Sequence, residues 1–349
     1  MTKQNAPTKQ QHWVPRFYLR SWIHQKDQLW CFDKSNGSVY SPNYQKVAGS
    51  SWFYDLIETR DPNEPELYQA IEKLLADIEG QCAPLIDKLR IMAQQLIAAW
   101  PGEPEGIAQP LTEKERHKLS GFIALQHLRT AQFRSEAADS HTKYHQLALE
   151  KILPIGFPDL DPADWTVTID ENEIKKLHIE ILLDFQSYIP YFRDKYWIYG
   201  VNVSSKPLIT SDNPVVLLPA PVHPTIPCDG IDSYGMQIIF PVSPKLVITM
   251  YDPKMYPHQR AMHRQLGFLT EQTVYDYNEL QLRQCRRQIF SSTNEFDAFR
   301  KLCSDEPEIC EPNDSRFPVE GPEIEKMHAD LVEIARGHKA QQEQRAQQE

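Results

Sequence analysis

Glycine is scarce in this chain of 349 residues, with only 13, and none of the glycine patterns that cradle phosphate occurs: no Walker loop, no Gly-x-Gly-x-x-Gly, no Gly-x-Ser-x-Gly elbow. A phosphate-bearing ligand would have to be held by side chains. No Cys-x-x-Cys pair occurs among the six cysteines, and the spacing of Cys303 and Cys310 is not a usual zinc half-site, so free thiols in a reducing compartment are expected. No apolar run approaches the length that spans a bilayer, and residues 1–11 lack the apolar segment of a secretory signal. The expectation is a cytoplasmic protein without a membrane partner. Bases are outnumbered too, 37 against 48 acids for a net charge of −11, so nucleic acid would be met only through a local basic surface.

What is present suits a folded chain with a substantial core: 41% of residues are hydrophobic and 24% charged. We expect residues 1–11 to be disordered, 337–349 to form a polar tail, and 12–336 to make a single α+β domain, helical over about 60–195 and sheet-rich over about 196–292. Strand-like segments flank Lys34-Ser35-Asn36-Gly37, and Asn-Gly in that setting predicts an amino-terminal β-hairpin. Leu67, Ile71, Leu74, Ile78, Cys82, Leu85 and Leu89 recur at helical spacing, predicting a long amphipathic helix over 66–100 that Gly80 and Pro84 should kink or split. After the breaker-rich stretch 101–110, Thr112-x-x-Glu115 reads as a capping box opening a second long helix toward Leu153. A third helix starts near Asp170 and ends before Pro190. From Tyr196 the pattern becomes short strands of a mostly antiparallel sheet, followed by a helix over about 271–290 and another after Pro322. The proline-rich connection 219–235 reads as a lid-like functional loop.

The chemistry concentrates in a few places. Residues 11–22, Gln-His-Trp-Val-Pro-Arg-Phe-Tyr-Leu-Arg-Ser-Trp, pack titratable, cationic and aromatic groups where chain ends usually fray. His12 offers an acid, base or ligand near neutral pH, against the plainer reading of a satisfied, half-buried ring. On the second helix the stripe Leu119, Phe122, Ile123 continues into Gln126, Arg129 and Thr130 before Phe133, placing polar groups at core positions. An unpaired buried guanidinium is costly, so Arg129 must meet Glu72 or Glu79 or line a wet cavity. Those two acids are about 10 Å apart along an ideal helix, too far for them alone to hold one ion. Glu72 is the preferred functional acid and Glu79 a solvated flank or the partner of a base.

Ser211-Asp212-Asn213-Pro214 reads either as a plain turn or as a carboxylate mounted at a strand end for a ligand. Phe240-Pro241-Val242-Ser243-Pro244 reads as a rigid connection. His141 and His145 stand at i, i+4 without a His-Glu-x-x-His pattern and are assigned to the surface. Arg283, Arg286 and Arg287, with Arg260 and Arg264, form either a solvated cationic face or one that tracks a phosphate backbone.

Together His12-x-x-Pro15 with Phe17, Leu19 and Arg20, then Glu72, Gln126-x-x-Arg129-Thr130, Ser211-Asp212-Asn213-Pro214, Phe240-Pro241-Val242-Ser243-Pro244 and Asn278 resemble the family catalogued as domain of unknown function 4238, from about His12 to Ser292. The resemblance implies that these polar positions form one recurring set, and it brings no established activity.

The leading expectation is a hydrolase pocket acting on phosphodiesters of nucleic acid or a nucleotide, with His12, Glu72, Gln126, Arg129 and Asp212 as catalytic residues. Glu72 and Asp212 would share Mg²⁺ or Mn²⁺, His12 would act as ligand or general base, and Arg129 with Gln126 would bind a small anionic or phosphate-containing ligand. Arg16, Arg20, Thr130, Asn213 and Asn278 complete the binding set. The alternatives are a non-catalytic binding protein built on a rigid polar core, and a metal-independent enzyme using His12 as acid and base.

Overall fold

Aromatic residues at the amino terminus are core residues rather than a fraying end. The structure, a computed structural model, describes residues 9–55, 69–99, 109–220 and 230–311, with 332, 333, 336 and 340. The expectations for residues 1–8, 66–68, 101–108 and 221–229, and for most of the chain beyond 311, lie outside the described residues. A strand β1 (Gln10–His12) leads into a one-turn helix α1 (Arg16–Leu19). There the Tyr18 hydroxyl donates to the Pro241 carbonyl at 2.7 Å and, having one proton, accepts from Thr210 Oγ1 at 2.7 Å. Trp22 is fully buried and donates its indole N–H to the Leu208 carbonyl at 3.0 Å. Large apolar bodies with satisfied polar tips fix this segment to the later strands.

The hairpin forms as the sequence predicts. β2 (Trp30–Asp33) and β3 (Ser38–Tyr40) pair antiparallel, and Gly37 takes φ +67° in the turn, the region glycine enters without strain. A short β4 (Gly49–Ser51) then pairs antiparallel with β1. The first long helix, α2 (Ala70–Ala99), runs unbroken through Pro84; Pro84 lies on its exposed face, and the buried stripe Ile71, Leu75, Cys82, Ile86, Leu89 and Ala93 holds both halves. The second long helix is two. α3 (Glu113–Leu128) opens with the expected capping box, Thr112 Oγ1 accepting from Glu115 N and Glu115 Oε2 from Thr112 N, and ends at Arg129. α4 (Ala131–Gly156) begins afresh because Thr130 Oγ1 accepts the Phe133 amide at 3.1 Å, as an N-cap does. The third also divides, into α5 (Glu171–Leu183) and α6 (Phe185–Arg193), with Pro190 inside the latter.

Strands β5 (Tyr196–Val201), β6 (Thr210–Ser211), β7 (Val216–Leu218), β8 (Gln237–Ser243) and β9 (Leu246–Tyr251) fall close to the expected segments. Two later strands do not. β10 (Leu266–Phe268) was not expected, and the helix placed over 271–290 stops as α7 (Glu271–Gln284) to let β11 (Gln288–Ser291) form; α8 (Asp297–Asp305) follows. The strands make three sheets: β1-β4, the four-stranded β3-β2-β11-β6, and the five-stranded β10-β5-β9-β8-β7, in which only β10-β5 is parallel. The result is α+β with antiparallel sheets dominating.

The described residues fall into two compact units, one drawn from Met1–Arg134 with Lys175–Asn313 and holding every sheet, the other from Ser135–Ile174 with Asp314–Glu349. In the first, Trp22, Phe122, Trp197 and Phe240 sit in one fully buried cluster. In the second, the Gln146 side chain accepts from Val167 N at 2.8 Å and donates to the Trp165 carbonyl at 3.1 Å, tying the stretch after α4 back onto that helix. No described helix is long and apolar enough to cross a membrane.

Candidate active site

Strand alternation splits the first motif between two faces. Gln11 points inward and is fully buried, donating to Asp55 Oδ2 at 2.9 Å and accepting from Tyr54 N at 2.7 Å. His12 points the other way, opposite Gly49, where a side chain would not fit: a Cβ would stand 2.6 Å from the Gln11 carbonyl oxygen and 3.0 Å from the His12 ring. The ring donates from Nε2 to the Gln45 carbonyl at 2.9 Å, which fixes the tautomer and leaves Nδ1 as the basic nitrogen. Burial lowers the His12 pKa against the pull of that carbonyl, so the ring is neutral.

His12, Arg16, Glu72, Glu79 and Arg129 line one pocket of about 160 Å³, with Gln10, Pro15, Leu75 and Ala76. Arg129 is 2% exposed and spans the site, donating from Nη1 to Glu79 Oε1 at 2.7 Å and from Nη2 to the His12 carbonyl at 2.6 Å. Its backbone carbonyl, left open where α3 ends, accepts the Tyr54 hydroxyl at 2.9 Å. Two buried polar atoms of this pocket have no hydrogen-bond partner among the described residues: Arg129 Nε and Glu72 Oε1. Glu72 stands in the first turn of α2, and burial pushes its carboxyl up to about 7 although Arg129 pulls the other way. The side chain of exposed Arg16 makes no hydrogen bond or ion pair to a described residue.

Of the two acids expected to meet Arg129, the ion pair goes to Glu79, one heptad along the helix from Glu72. The remaining candidates lie elsewhere. Gln126 is buried, its Nε2 donating to the Trp13 carbonyl at 2.8 Å while Oε1 has no partner among the described residues. Thr130 donates to Asn213 Oδ1 at 3.2 Å, and Asn213 donates to the Gln284 carbonyl at 2.9 Å. Asn278 accepts from Ile209 N and donates to the Pro207 carbonyl, both at 2.9 Å. Arg20 reaches the Tyr44 hydroxyl at 3.2 Å.

Asp212 is the main departure from the shared-cation arrangement. It does not line the pocket, and both its oxygens are occupied: Oδ1 accepts from Arg286 N at 2.8 Å, Oδ2 from Arg287 N and Gln288 N at 2.9 Å. That capture takes the amides a longer helix would have used, which is why α7 ends and β11 begins there. Burial pushes Asp212 up to about 6, the three amides resisting. Among the described residues no group of three or more His, Cys, Asp or Glu side chains is placed to hold a metal ion. The cationic face is largely committed as well: Arg283 pairs with Glu279 and Glu306, Arg287 with Asp33, and Arg264 with Glu113.

Sequence reasoning missed the second layer around Arg129. Gln45, Tyr54 and Asp55 hold the motif in place, and their neighbour Phe53 receives the Arg134 guanidinium 3.5 Å above its ring. Arg134 also donates to His178 Nδ1, whose Nε2 donates to the Leu128 carbonyl; burial drives that imidazole down to about 3, so it is neutral. Only the aromatic pair Phe53-Tyr54 carried any signal.

The family described as Protein of unknown function (DUF4238) matches residues 10–295, which span every pocket residue. No curated protein and no solved structure matches the chain.

Proposed function

We propose, for a chain that belongs to the DUF4238 family, that this pocket binds the oxyanion end of a small ligand and that Glu72 exchanges a proton with it. The observation that carries the reading is the pair of unpartnered buried atoms, Glu72 Oε1 and Arg129 Nε, on one small pocket. A buried donor and a buried acceptor left open are costly unless a ligand or water completes them. At 160 Å³ the site is below the ~300 Å³ at which drug-sized pockets begin, so it suits a phosphate or carboxylate group rather than a whole nucleotide.

The chemistry this supports is general acid–base hydrolysis of a phosphodiester. Arg129 and exposed Arg16 supply charge for the anion and for the negative charge that grows on it, Glu72 near neutrality gives or takes the proton, and neutral His12 offers Nδ1 as base. With Asp212 occupied by amides, the reading needs no shared cation; added Mg²⁺ or Mn²⁺ is an arm of the test. The described cysteines are free, which supports a cytoplasmic setting.

The test is calorimetry with inorganic phosphate together with hydrolysis of bis(p-nitrophenyl) phosphate, in EDTA and in Mg²⁺ or Mn²⁺. Phosphate should bind, and wild type should turn over in EDTA where Glu72→Gln does not. Turnover only with metal would restore the cation mechanism, and absence of phosphate binding would overturn the site. A second reading, a rigid polar core without catalysis, is favoured by one feature: Gln11, Gln126 and Arg129 all spend donors or acceptors on backbone of the amino-terminal segment. Phosphate binding without turnover under any condition would select it.

A further inference from the structure

In the smaller unit, His141 and His145 lie one helical turn apart on α4 with their Nε2 atoms 3.2 Å from each other. Their ring planes are nearly perpendicular, at 79°. Two imidazoles bound to one ion at ~2.0–2.1 Å in tetrahedral geometry hold their nitrogens ~3.3 Å apart. The helix has thus already set the bite of a chelate. The geometry points to a transition-metal site that the DUF4238 resemblance does not assign: His141 and His145 together ligate a first-row divalent ion of the zinc, nickel or copper type, the class that imidazole nitrogen favours.

At present one ring donates its Nε2 proton to the other's lone pair. Metal binding needs only that the donor ring carry its proton on Nδ1 instead, after which both Nε2 lone pairs are free and no net proton is lost. The two rings open onto a cleft of about 540 Å³ walled by Leu149, Ile152, Val167 and Ile169, with Asp170 and Glu173 on the same cleft. The remaining coordination positions are left for water or an anionic ligand with an apolar body.

Calorimetry of the full chain with ZnCl₂ tests this, since zinc prefers nitrogen where Mg²⁺ prefers oxygen. We expect His141→Ala and His145→Ala each to weaken zinc binding by about tenfold or more, while His117→Ala, an exposed histidine on α3, leaves it unchanged. Cu²⁺ electron paramagnetic resonance should show coupling to two imidazole nitrogens in wild type and to fewer in either variant. Because His145 is exposed, His145→Ala keeps the test decisive if His141→Ala fails to fold. Zinc affinity equal to wild type in His145→Ala, or no zinc binding by wild type, would overturn the site.

Discussion

Glu72 and Asp212 are both carboxyls whose pKa burial raises, to about 7 and about 6, yet the regions around them have opposite characters. Around Asp212 every carboxylate oxygen is used, by consecutive backbone amides at the junction of α7 and β11. Around Glu72 one carboxylate oxygen is buried without a hydrogen-bond partner among the described residues, beside Arg129, whose Nε is likewise open while its Nη atoms are bonded. A buried charge that is fully hydrogen-bonded works as a clamp; one left open is poised to act on something else. Their similar pKa values hide that difference, which only hydrogen-bond bookkeeping reveals.

The largest effect that would sharpen the comparison is at Arg129, which belongs to the open region but is tied like the closed one. Arg129→Ala should cost about 3–5 kcal/mol in urea unfolding, because Glu79 and the His12 carbonyl lose a buried charged donor. A loss below ~1 kcal/mol would mean that water replaces the guanidinium readily. Next, Asp212→Asn should cost about 2–3 kcal/mol, since an amide nitrogen cannot accept from the amides now facing the carboxylate. Its phosphate affinity should stay at the wild-type value. A variant that is stable but loses phosphate would move Asp212 into the site and break the contrast.

A pH series separates the regions further. Glu72 ordinarily titrates at 4.5 and is raised to about 7, so the folded state holds its proton more tightly than the unfolded chain. The stability this contributes is full below pH 4.5 and is lost as pH rises through about 7. Relative to Glu72→Gln, which cannot titrate, wild type should therefore lose stability across that window. Parallel curves of melting temperature against pH would show that Glu72 is not perturbed. The smallest effect on stability is expected at exposed Arg16: Arg16→Ala should change it by less than ~0.5 kcal/mol. Phosphate binding should still weaken about tenfold, the size of one charge-assisted contact.

Local rules made part of the molecule legible. The Asn-Gly hairpin, the Thr112/Glu115 capping box and most strands between Tyr196 and Tyr251 follow from turn chemistry, caps and alternation within a few residues. The break at Arg129-Thr130 was missed because the polar residues kept the helical period; what ends α3 is the Thr130 cap, seated against Asn213 from another part of the chain. β11 was read as the end of a helix because residues 285–290 suit either state in isolation, and the deciding bonds come from Asp212 and from β2 and β6.

For the site, the sequence by itself determined that a histidine, an arginine at a core position and two inward acids had to be accommodated, because a buried guanidinium requires a partner. It also determined that phosphate, if bound, would meet side chains, glycine being too scarce for a cradle. Only the tertiary structure decided that Arg129 takes Glu79 and leaves Glu72 open, and that Asp212 closes on backbone amides instead of facing the pocket. Those choices turn on ångström differences between atoms brought together from distant parts of the chain, and periodicity carries no information about them.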